Sequence, residues 1–162
     1  MVNNYMKVPD VMIINVPKFR AVTSGLAPWE AVFGEFAKWQ EAHQDFFKEI
    51  VFDCADFLTG KDDKAEWFWR LRDEVTDADV APYKITEFQG GLYAAAVSVD
   101  GDGESHDKVR AKVDKWLETT NFIEDGSRVK MGNMIYANEE IKKGLGYNQM
   151  VLYLPVKLKD AT

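Results

Sequence analysis

The chain has 162 residues, 46% of them hydrophobic, a size and composition that suit one globular domain able to bury a core without disulfides or metals. Its formal charge of -7, from 27 acidic and 20 basic residues, opposes attraction to phosphate backbones and argues against direct nucleic-acid binding. The single cysteine, Cys54, excludes an internal disulfide and fits a reducing compartment; no apolar run approaches a membrane span, and Asn3, Asn4, Lys7, Pro9 and Asp10 give no signal-peptide core, so the expected setting is cytoplasmic.

Val11 to Ser24 is rich in β-formers, and Pro17, lacking an N–H, predicts an edge or a bulge partway along. Gly25 breaks the strand and Pro28 suits a first helical turn. Trp29, Val32, Phe33, Phe36 and Trp39 then recur three and four apart, which predicts a helix to about His43 with a wide apolar face on a sheet. Phe52 to Leu58 reads as a strand, Thr59 to Lys64 as a turn and Ala65 to Val75 as the returning strand. Strict alternation sets Trp67, Trp69 and Leu71 on one face of that strand and Glu66, Phe68, Arg70 and Arg72 on the other.

Thr76 to Asp79, followed by Ala81-Pro82, reads as a short linker. Tyr83 to Val99 is a long strand interrupted at Gly90-Gly91, a bulge or tight bend. The alternating acids of Asp100 to Glu104 invite a calcium reading, but the ligand order and closing glutamate of an EF-hand are missing; a turn into a helix capped by Ser105 is the better reading. Val109, Val113, Trp116 and Leu117 give that helix its stripe. Arg128 to Ala137 and Asn148 to Val156 read as closing strands, with Asn138 to Gly146 as a polar connection. The order strand, helix, strand, strand thus occurs twice, at about 11–75 and 83–157, within one domain spanning 1–162. A seam between such repeats is a natural place for a pocket.

Most catalytic signatures are missing. His43 and His106 have no partners at metal-ligand spacing, and there is no nucleophile elbow, phosphate loop or dinucleotide fingerprint; no metal or cofactor is implied. Cys54 reads as a small buried hydrophobe rather than a nucleophile. What remains are carboxylates among rings: Glu66 precedes Trp67-Phe68-Trp69, and Glu87 precedes Phe88. With five Trp, six Tyr and ten Phe, the rings either fill a core or line a cavity for something flat. A carboxylate in such a cavity would hold an organic cation, or act as a general base if desolvation raised its pKa.

The layout resembles the GyrI-like effector-binding domains attached to AraC-type and MerR-type multidrug-responsive regulators, which also occur as standalone proteins. The likeness is carried by Val16-Pro17-Lys18-Phe19-Arg20-Ala21-Val22, by Phe88-Gln89-Gly90-Gly91-Leu92-Tyr93-Ala94-Ala95, and by Lys115-Trp116-Leu117. It continues through Met134-Ile135-Tyr136 and Leu152-Tyr153-Leu154-Pro155-Val156. The resemblance implies an α+β fold in which two pseudo-symmetric β-α-β-β repeats form an antiparallel sheet carrying two main helices. It also implies binding of lipophilic, often cationic aromatic compounds between the repeats, in drug sensing, sequestration or transcription regulation. Where many relatives have a glutamate two residues before the late-strand tyrosine, this chain has Met134, which shifts the expected counter-charge to Glu66 or Glu87. The expected ligand-binding set is Glu66, Trp67, Trp69, Glu87, Tyr93, Met134, Tyr136 and Tyr153, with no catalytic residue. The resemblance also implies rivals: a small-molecule hydrolase using a pocket Glu and Tyr, or a module that binds a protein partner such as a regulator or gyrase. With no helix-turn-helix pattern in the chain, any DNA reading would fall to another polypeptide.

Overall fold

The computed structural model describes residues 10–47, 56–128, 130–134 and 139–159. It is an α+β structure of ten strands, β1 (Met12–Val16), β2 (Phe19–Thr23), β3 (Ala27–Pro28), β4 (Asp56–Lys61), β5 (Lys64–Arg70), β6 (Lys84–Phe88), β7 (Gly91–Val99), β8 (Phe122–Glu124), β9 (Met131–Met134) and β10 (Gln149–Leu158). Helical segments α1 (Trp29–Ala31) and α2 (Ala37–Ala42) flank a π-helical turn, Val32–Phe36, and α3 (Gly103–Glu118) and α4 (Glu139–Leu145) lie in the second half.

Two long bent runs organise the sheet. β1 and β2 are halves of one run, β6 and β7 of another, and they pair antiparallel as β1 with β7 and β2 with β6. Ladder pairing lapses between Val16↔Gly91 and Phe19↔Phe88, although the register on either side is the same. Pro17 has no N–H to give a ladder there, and Gly90, at φ 64, brings its backbone so near the opposite run that a Cβ would sit 2.4 Å from the Val16 carbonyl oxygen. Outward from these runs, β10 flanks β7 and β5 flanks β2; β9 and β4 follow, and they meet through Leu58↔Gly132. The strand order β1-β7-β10-β9-β4-β5-β2-β6 therefore begins and ends on the same two runs, and the sheet returns on itself.

Both main helical regions cover one face. Val32 and Phe36 pack on Val22, Trp67 and Leu71, while Val113 and Leu117 of α3 pack on Ala94, Leu154 and Val156. The opposite face carries one cluster shared by both halves, with Phe57, Phe88, Tyr93 and Tyr153 buried in it. The alternation expected along β5 is seen: Trp67 and Leu71 are buried on the helix face, and Phe68 joins the opposite cluster.

Several boundaries differ from expectation. The helix near residue 29 is continuous to Ala42 but contains the π turn. β4 runs on to Lys61 and the turn is confined to Asp62-Asp63, with Asp62 at φ 55; the returning strand ends at Arg70 rather than Val75. The cap of α3 is Asp102, whose carboxylate accepts from the Ser105 N–H at 3.0 Å, while the Ser105 hydroxyl accepts from the Val99 N–H. The polar connection near residue 140 contains α4, with two acids in its first turn and two lysines in its last, a charge order that favours a helix. β8 was not expected; it pairs with β10 through Val156↔Glu124. Among the described residues no helix is long and apolar enough to cross a membrane.

Candidate functional site

Between the two helical regions a cavity of about 540 Å³ opens on the helix face of the sheet. Trp29 and Phe33 form one wall, Leu58 and Gly60 of β4 with Gly132 of β9 the floor, and Met150 and Leu152 of β10 the far side. Asp100 and His106, at the entry to α3, and Lys130 complete the rim. The volume lies within the range of sites for drug-sized ligands. A smaller inner cavity of about 180 Å³ shares Phe33, Leu58, Asp100 and Met150 with it and reaches Asp56 and Trp67.

The walls follow from local sequence. Phe33 sits on the π turn and touches both Trp29, stacked at 5.7 Å between ring centroids, and Trp67, tilted at 5.3 Å. Trp29 lies so close over Gly60 that a Cβ there would come within 2.9 Å of its ring; only glycine lets the ring settle. Phe33 remains 46% exposed and Trp29 37%, so these apolar rings line an opening rather than a sealed core.

Asp56 lies at the inner end. It shares the pleat face of Leu58, two residues on, and is only 6% exposed. Its Oδ2 accepts a hydrogen bond from Trp67 Nε1 at 2.8 Å. Burial pushes the carboxyl up to about 6, and the Trp67 bond offsets part of that rise. No ion pair to Asp56 occurs among the described residues. The basic side chains of the rim are engaged elsewhere: Lys130 Nζ lies 3.1 Å from Glu124, and His106 Nε2 bonds the Val99 carbonyl at 2.9 Å, so that nitrogen carries the hydrogen.

The expected site residues separate. Trp67 lines the inner cavity beside Asp56. Trp69 is packed with Phe47 in the first-half core, its Nε1 buried without a partner among the described residues. Glu66 points to the opposite face and accepts from the Thr23 hydroxyl at 2.7 Å. Glu87 is exposed, 3.4 Å from Lys18, and lines with Tyr93 a separate recess of about 170 Å³. Tyr153 is in the opposite-face cluster. The Met134 backbone pairs with Met150 on β9, but its side chain, like Tyr136 and Cys54, lies outside the described residues. Sequence reasoning passed over Asp56, Asp100 and Met150 as site residues. The available signal was Asp56 itself, a lone acid at the pleat position that Leu58 repeats.

Compared by sequence, the chain matches no protein-family profile and no curated protein. Compared by structure, it is similar to the EcmrR C-terminal domain, with a TM-score of 0.64 at 8% identity over 91% of this chain and 97% of that one. It is similar to a hydrolase from Listeria innocua, with a TM-score of 0.62 at 16% identity over 91% and 92% of the two chains. It is also similar to SAV2435 solved with tetraphenylphosphonium, with a TM-score of 0.56 at 11% identity over 92% and 94%. At these identities the likeness speaks for the fold, and the fold of this chain is that of the GyrI-like effector-binding domains.

Proposed function

We propose that this chain binds small lipophilic aromatic molecules, organic cations foremost, in the cavity between its two helical regions, as a sensing or sequestering domain. The observation that carries the reading is Asp56: a buried carboxyl at the inner end of a ring-lined cavity, with no cation beside it among the described residues. A buried acid costs stability unless something compensates it, and an organic cation resting on Phe33 and Trp67 would do so by charge pairing and cation–π attraction. The solved neighbour holding tetraphenylphosphonium has the same fold and supports this ligand class. In this reading residues 11–75 and 83–157 are two repeats of one domain and the ligand lies between them. DNA reading, if the ligand controls transcription, belongs to another chain.

Titration with tetraphenylphosphonium, followed by tryptophan fluorescence, tests the proposal. Micromolar binding, about 8 kcal/mol, is expected, weakened at least tenfold in Asp56→Asn. Absence of quenching at millimolar ligand would refute it.

A second reading follows from the same carboxyl. Held near 6, it suits a general base at neutral pH, and a hydrolase is among the solved neighbours. Catalysis requires turnover of an electrophilic ester or epoxide that Asp56→Asn abolishes while ligand binding persists.

A further inference from the structure

Resting on the cavity as the ligand site, the geometry points to a second role for Asp56: it selects between two ligand classes by its own protonation, pairing as a carboxylate with organic cations and, as a neutral acid, donating its hydrogen to uncharged ligands with a strong hydrogen-bond acceptor. Cation entry into the protonated form then breaks the carboxyl O–H bond and passes that proton to water, leaving the carboxylate as counter-ion.

The surroundings of Asp56 set this up. Among the described residues its side-chain donor is Trp67 Nε1, beside the backbone N–H of Asp56 itself; both are uncharged N–H groups that a carboxylate oxygen or the carbonyl oxygen of the neutral acid satisfies. The two states therefore share one position. Among the described residues the apolar neighbours in the inner cavity are Phe33, Leu58 and Met150, none of which stabilises charge by hydrogen bonding. From the turn between β7 and α3 comes Asp100, of the same sign. From β5 come only Trp67 and Trp69, the latter opposite Asp56 in register. His106 of α3 and Lys130 line the outer cavity, held by the Val99 carbonyl and by Glu124. Without a cation in the inner cavity, desolvation favours the neutral acid, and the carboxyl titrates at about 6, where either state is readily reached.

The size of the effect follows from linkage. With that titration, a cation that binds the carboxylate alone loses about tenfold in affinity between pH 7 and pH 5, and releases about half a proton on binding at pH 6. An acceptor that needs the neutral acid gains affinity by about tenfold over the same fall in pH. A ligand contacting only the rings responds to neither.

The test uses two probes with the same ring body, methyltriphenylphosphonium and triphenylphosphine oxide, titrated calorimetrically into the full chain at pH 5, 6 and 7 in buffers of different ionisation enthalpy. Opposite slopes are expected, the phosphonium about tenfold weaker and the oxide about tenfold tighter at pH 5 than at pH 7. In Asp56→Asn both slopes disappear. Flat profiles, slopes of the same sign, or slopes that survive in Asp56→Asn and so belong to another group overturn the inference while leaving the cavity as a ligand site. Failure of both probes to bind at any pH overturns the site as well.

Discussion

Arg128 lies over the ring of Tyr93, its guanidinium carbon 4.8 Å from the ring centroid. From there it donates to the carbonyls of Gly90, Leu92 and Val156, each at 2.9 Å, and to Asp125 at 2.8 Å. One side chain thus ties the bend between β6 and β7 to the last strand. A flat fork with several donors suits this task better than the point charge of a lysine.

Replacing Arg128 should therefore be costly. The pair is mostly buried, with 16% of the Arg128 side chain and 13% of the Asp125 side chain exposed. Arg128→Ala should lower unfolding stability by about 3–5 kcal/mol, since it takes the donor from three carbonyls and the cation from a mostly buried carboxylate that keeps only Ser127. Arg128→Lys should recover less than half of that. Urea denaturation of the three proteins measures both differences.

Stability should also depend on pH through two aspartates of opposite sense. Asp125 is held at about 2 by Ser127 and Arg128, below its usual 3.8, so its contribution is complete above pH 4 and is lost as pH falls through 2. Asp56 is pushed up to about 6, so the stability linked to its protonated form is complete below pH 4 and is lost as pH rises through 6. Asp56→Asn keeps an acceptor for Trp67 and removes the charge. It should stabilise the protein by about 2–3 kcal/mol at pH 8 and change little at pH 4. Equal effects at both values would contradict the assignment.

Two glycines should respond oppositely to alanine. Gly91 has φ 115, and a Cβ there would lie 2.3 Å from the Arg128 guanidinium; Gly91→Ala should cost at least about 2 kcal/mol. Gly34 lies in the π turn with nothing within 4 Å of its would-be Cβ, and Gly34→Ala should stabilise by about 0.5–1 kcal/mol. Thermal melts under identical conditions separate the two.

Gly60→Ala should divide stability from binding. The added methyl meets only the outer edge of the half-exposed Trp29 ring, which can swing aside, so stability should stay within about 1 kcal/mol. That swing takes the ring away from Phe33 and from the cavity wall, and affinity for tetraphenylphosphonium should fall about threefold or more. Unchanged affinity would remove Trp29 from the site.

Much of the architecture was legible because it follows from local periodicity. The pleat of β5 assigns Trp67 and Phe68 to opposite faces whatever surrounds them, and Pro17 and Gly90 mark the bend by the backbone freedom each lacks or has. α4 was hidden because its seven residues hold only Ile141 and Leu145 as large apolar side chains, too few to show a stripe. The site was less legible for a different reason. Asp56 shares its cavity with Phe33 from one half and Asp100 and Met150 from the other, residues far from it in sequence, so its own neighbourhood in the chain does not betray its desolvation. Glu66 and Glu87, by contrast, owe their prominence to adjacent rings that the pleat sends to other places.

The pair Leu58↔Gly132 marks an asymmetry in the closed sheet. On one side the halves are joined by β1 with β7 and β2 with β6, each a ladder of five residue pairs, whereas β4 and β9 lie side by side but share, among the described residues, this one register pair. The cavity, floored by Leu58, Gly60 and Gly132, therefore rests on the join of the closed sheet that has the fewest ladder bonds among the described residues, and away from the two long ladders that fix how the halves pair.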